Sequence, residues 1–67
     1  MNQMNPRIAR LLAGKTQSAI AEYLGISRWT YSKWEKKPDL FTVEQAKRFS
    51  SLVGIPVGEI FSIRESN

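Results

Sequence analysis

Ser27, Arg28, Trp29, Ser32 and Lys33 lie within one short stretch and bring together two hydroxyls, a guanidinium, an indole and an ammonium. All of these groups donate hydrogen bonds, and two are cations. Their natural partners are the phosphate oxygens and base-edge acceptors of a nucleic acid. Catalytic chemistry has little to draw on. The chain has no Cys and no His, which removes the thiolate nucleophile, the commonest general base and the usual zinc ligands. No clustered carboxylate pair replaces them, so the expectation is a protein that is not an enzyme and carries neither cofactor nor metal. Gly14-Lys15-Thr16 resembles the end of a phosphate-binding loop. However, Ala9 stands where the earlier glycine is required, and no strand precedes it.

The donor-rich stretch belongs to residues 17–34, QSAIAEYLGISRWTYSKW. Ile20 and Leu24 are four apart; Gly25 follows, and then come Ile26, Tyr31 and Trp34. That spacing fits two helical stripes meeting across a bend. Gly25 suits a sharp helix exit, where positive φ carries no steric cost. Ala21 is small where a second helix must approach closely. The pattern is that of a helix-turn-helix, whose second helix carries its polar groups outward. A generic helical hairpin would share it.

The remaining elements follow from local signals. Residues 1–5 are polar and expected to fray. Pro6 suits a first helical position, and Ile8, Leu11 and Leu12 form the expected apolar face of a helix that Gly14 ends. Thr16 is the expected N-cap of the helix over residues 17–24, and Ser27 that of the helix over residues 28–35. Residues 36–41 (KKPDLF) read as a loop, since Pro38 resists helix continuation. Thr42 and Gln45 match a capping box, leading a fourth helix with Val43, Ala46, Phe49 and Val53 on one face. Gly54 ends it, and Pro56 opens a short fifth helix with apolar Val57, Ile60 and Phe61. The expectation is an all-α bundle of about five short helices over residues 6–62, with a tail at 63–67.

Charge is unevenly distributed. Residues 1–37 hold seven Lys and Arg against two Glu, a net +5, whereas residues 38–67 hold three against four, a net −1. A basic half that contains the donor-rich helix suits a polyanionic partner. A chain of 67 residues is one small domain, and such domains bury only roughly 60% of their unfolded surface. With no covalent staple, dimerisation is the obvious extra source of stability. No apolar run approaches the ~20 residues that span a membrane, and no signal-peptide core is evident, so a cytoplasmic location is expected.

Together, Thr16-Gln17, Ala21, Leu24-Gly25-Ile26-Ser27-Arg28, Lys33-Trp34-Glu35 and residues 54–61 (GIPVGEIF) resemble the lambda-repressor-like, or Cro/repressor (XRE), family of DNA-binding domains. The resemblance covers about residues 7–61, with no insertion or deletion between Trp34 and Gly54. It implies a third helix lying in the major groove of double-stranded DNA. Ser27, Arg28, Trp29, Ser32 and Lys33 would then face base edges, with Trp29 touching thymine methyls or the sugar-phosphate wall, or else folding back over Ile26 or a loop. Gln17 would meet a phosphate at a helix N-terminus, and Lys36 and Lys37 would meet others. Tyr31 and Trp34 would be core. Arg10 and Glu35 match positions that form a structural ion pair in some members.

The chain departs from the family at Lys37, Leu40 and Phe41, where glycine and further basic residues are frequent. Leu40, Phe41, Val57 and Phe61 become candidates for a two-fold interface, intramolecular packing being the alternative for each. The function implied is a small homodimeric Cro-like repressor, phage or prophage encoded, acting on a pseudo-palindromic operator; the dimer could assemble on the DNA. An antitoxin-like or adaptor module with a protein as its main partner is the second possibility.

Overall fold

The computed structural model describes residues 4–61; residues 1–3 of the expected frayed terminus and the expected tail at 63–67 lie outside them. Five α-helices follow in order: α1 (Pro6–Leu12), α2 (Gln17–Leu24), α3 (Arg28–Lys36), α4 (Val43–Val53) and α5 (Val57–Phe61). A 3-10 turn, Pro38–Leu40, lies between α3 and α4. No strand occurs among the described residues.

The helix starts are set by side-chain caps. Thr16 Oγ1 accepts the Ala19 N–H at 3.0 Å, Ser27 Oγ that of Thr30 at 3.0 Å, and Thr42 Oγ1 that of Gln45 at 3.1 Å. Each such cap is worth about 1 kcal/mol. Asn5, which the sequence leaves in the polar N-terminal segment, performs the same service for α1, with Oδ1 accepting from Ile8 N–H at 2.9 Å. The α2–α3 bend is closed at Gly25, whose φ of 76° is left-handed. There the Gly25 and Ile26 N–H groups donate to the Glu22 and Ala21 carbonyls, at 3.2 and 3.0 Å. That is the bonding of a helix ended by a left-handed glycine.

The core gathers Ala9, Ile20, Ala21, Leu24, Tyr31, Phe49 and Ile60, so every helix contributes to it. Around it lies a ring cluster. Phe41 stands 4.9 Å from Trp34, 5.5 Å from Phe49 and 4.7 Å from Phe61 between centroids, and meets Tyr31 edge-on at 6.3 Å. Such pairs add about 0.5–1.5 kcal/mol each beyond area burial. Tyr31 is fully buried, as expected, while Trp34 is half-buried on the cluster rather than enclosed.

Three local expectations are corrected. The buried side of α1 is Pro6 and Ala9, and Leu11 and Leu12 are 51% and 68% exposed. Small residues let α1 lie close to α4 and α5, which turns the leucines outward. Val43, expected to share the apolar face of α4 with Ala46 and Phe49, is 68% exposed. The capping box is half-formed: the Gln45 side chain does not return to Thr42 but donates from Nε2 to the Leu24 carbonyl at 3.1 Å, tying α4 to the end of α2.

Candidate nucleic-acid interface

The orientation of α3 follows from what it buries. Tyr31 is the helix's buried residue, and the opposite side of the helix faces outward with Arg28, Trp29 and Lys33 exposed and Ser32 half-exposed. Trp29 is 71% exposed, so it does not fold back over Ile26. The Lys33 Nζ sits 4.5 Å from the centre of the Trp29 ring, the i, i+4 partnership that a helix favours. Ser27 is committed to holding the helix start. Its hydroxyl accepts from Thr30 N–H and donates to Thr30 Oγ1 at 2.9 Å. Lys36 and Lys37, both exposed, continue the cationic surface beyond α3.

Beneath Arg28 runs a hydrogen-bonded chain that sequence reasoning only partly reached. Arg10 grips the Glu35 carboxylate through Nε to Oε2 and through Nη2 to Oε1 at 3.4 Å, and its Nη1 donates to the Lys15 carbonyl at 3.0 Å. Both side chains are largely enclosed, at 11% and 5% exposure. Gln17 Nε2 donates to Glu35 Oε1 at 3.0 Å, leaving Gln17 Oε1 to accept from Arg28 Nη1 at 3.4 Å. The first residues of α2 and α3 are thereby joined, through Gln17, to the last turn of α3 and to α1.

This chain sets the protonation states. Burial alone would raise the Glu35 pKa, but the hydrogen bonds from Arg10 and Gln17 and the charge of the Arg10 guanidinium outweigh it and hold the carboxyl below its usual range. Its hydrogen bond to Glu35 raises the Arg10 pKa further. Tyr31 is pushed well above its ordinary value, by burial first and the neighbouring carboxylate second. Its hydroxyl has no partner in hydrogen-bond geometry.

Gln17 therefore has an internal job for both ends of its amide. What remains at the start of α2 is main chain. Thr16 takes the N–H of Ala19 on its hydroxyl and that of Ile20 on its carbonyl, so the amides of Gln17 and Ser18 are the free donors of the first turn. Such a terminus attracts anions.

The four candidate interface residues separate. Phe41 and Phe61 belong to the ring cluster, whereas Leu40 is 43% exposed and Val57 half-buried. A cleft of about 210 Å³ lies beside them between the Pro38–Thr42 connection, Val43 and Ala46 of α4, and Phe61. Among the described residues, no group of three or more His, Cys, Asp or Glu could hold a metal, and no helix is long and apolar enough to cross a membrane.

A bend closed by a left-handed glycine between α2 and α3 and an outward, donor-rich second helix define a helix-turn-helix DNA-binding domain. A family model described as Helix-turn-helix matches residues 7–60, most of the chain, and the protein belongs to that family. No match is found among curated proteins or solved structures.

Proposed function

We propose that the protein is a sequence-specific regulator of the Cro type: a small homodimeric repressor, phage or prophage encoded, that occupies a pseudo-palindromic operator in double-stranded DNA in the cytoplasm. The observation that carries this reading is the outward row of α3, where Arg28, Trp29 and Lys33 are exposed while Tyr31 anchors the other side. On this reading Arg28, Trp29, Ser32 and Lys33 face base edges, and Ser27 fixes the helix that presents them. Arg28 suits guanine O6 and N7, a pairing that discriminates by about 1–3 kcal/mol. The free amides of α2 take one phosphate, with the Gln17 amide steadying Arg28 beside it, and Lys36 and Lys37 take others.

Two-fold pairing through Leu40 and Val57, with Phe41 and Phe61 supporting them from beneath, would set two recognition helices about 34 Å apart, one turn of duplex. Repression follows from denying polymerase the promoter. Selection of bound duplexes from a random pool tests the whole scheme. A palindromic consensus with half-sites one turn apart is the expected result, and a pool that stays random would overturn it.

A further inference from the structure

Trp29 is the bulkiest residue on the outward row, and at 71% exposure it has no packing role within the bundle. Lys33 stands one helical turn further on, its Nζ 4.5 Å from the indole centre. An indole presented to a major groove meets one kind of apolar group on the groove floor, the C5-methyl of thymine. The ammonium has donors and no acceptor. The base edge that offers two adjacent acceptors and no donor is that of guanine. The 4.5 Å between ring and ammonium keeps the two groups together on the outward side of α3, so they address neighbouring positions of a duplex whose bases rise by ~3.4 Å.

We infer that Trp29 and Lys33 form one reading unit for a C5-methylated pyrimidine adjacent to a guanine. Thymine is its ordinary target, and 5-methylcytosine, which carries the same methyl at the same place in the groove, is accepted as well. Trp29 contributes the methyl contact and also positions Lys33, because the ring face fixes where the ammonium stands. This inference rests on the duplex reading proposed above and specifies its chemistry.

The test uses the whole chain and a duplex that it selects from a random pool. Uracil replaces thymine at one position at a time, deleting a methyl while leaving base pairing intact. At one thymine in each half-site, affinity should fall about fourfold, the equivalent of one CH2-sized group returned to water. A 5-methylcytosine·guanine pair there should bind more tightly than cytosine·guanine. Trp29→Ala should abolish both discriminations and relax the neighbouring guanine preference, whereas Lys33→Ala should relax the guanine preference alone. Both side chains are exposed, and unchanged helicity confirms that each variant is folded. Silence of uracil at every thymine, or an undiminished thymine-to-uracil ratio in Trp29→Ala, would overturn the inference and leave duplex reading standing. Failure to select any duplex, or tighter binding to the separated strands, would overturn both.

Discussion

Replacing Arg10 by Met keeps much of the side chain's bulk but leaves the Glu35 carboxylate, 5% exposed, with the Gln17 donor in place of three charged-pair and amide bonds. Deleting one partner of a buried pair costs about 3–5 kcal/mol. The surviving Gln17 bond places Arg10→Met near the lower end, at about 3 kcal/mol. A chain of this size has about 3–10 kcal/mol of total stability. Each kcal/mol corresponds to about 7 °C of melting temperature, so a fall of about 20 °C is expected.

The pH dependence identifies the cause. In the parent chain the Glu35 pKa is depressed. Its contribution is therefore complete above the unfolded value of about 4.3 and is lost as the pH falls through the folded value. Without Arg10, burial dominates and the folded pKa rises above that value. The variant then regains relative stability on acidification, and the gap between the two proteins narrows from about pH 7 down to about pH 4. Adding Glu35→Gln removes the stranded charge and should recover more than half of the loss at neutral pH. Urea titrations followed by circular dichroism at several pH values would measure all three effects. A gap that is constant with pH, or a double variant no better than the single, would refute the assignment of the cost to an uncompensated buried carboxylate.

Other outcomes are equally open to measurement. Arg28→Ala and Lys33→Ala should each weaken binding to a selected duplex while shifting stability by no more than about 0.5 kcal/mol; unfolding would mean that they face the bundle. Lys36→Gln and Lys37→Gln should each flatten the dependence of log affinity on log salt by about 0.9 if the lysine meets a phosphate, as read by titration at several salt concentrations. Tyr31→Phe removes a buried hydroxyl that lacks a partner, so neutral-pH stability should hold or rise by up to about 1 kcal/mol. The raised phenol pKa makes the parent chain lose stability as the pH climbs beyond about 10. In Tyr31→Phe that part of the alkaline loss should vanish, and a marked loss at neutral pH would show the hydroxyl to be bonded.

Caps and bends were legible because they are local. Thr16, Ser27 and Thr42 each precede the helix they start, and Gly25 stands at the residue where φ turns positive. The aspect of α1 was not legible. Three aliphatic residues suggested one buried side, but contact with α4 and α5 is made through Pro6 and Ala9, and no neighbour of α1 in the chain reveals that. Gln45 fits a local box, yet it satisfies a carbonyl 21 residues earlier. The outward row of α3 was readable from Tyr31 and the polar periodicity. The Gln17 bridge from Glu35 to Arg28 joins residues 18 and 11 apart, and only the folded arrangement of α2 against α3 brings them together. The Lys33–Trp29 stack, by contrast, lies at a spacing that helical geometry alone could have flagged.

Phe41 sits in the connection after α3, yet its ring touches Tyr31, Trp34, Phe49 and Phe61. A segment that would ordinarily tolerate insertion is therefore anchored in the interior, and its length is fixed by the distance that ring must reach. On the proposed DNA-reading role, sequence preference could drift through Arg28, Trp29, Ser32 and Lys33, which the interior does not constrain. The linker beside them must stay the same. Any second subunit seated over the neighbouring cleft would press on rings that also hold the monomer together, so assembly and folding would share one set of contacts.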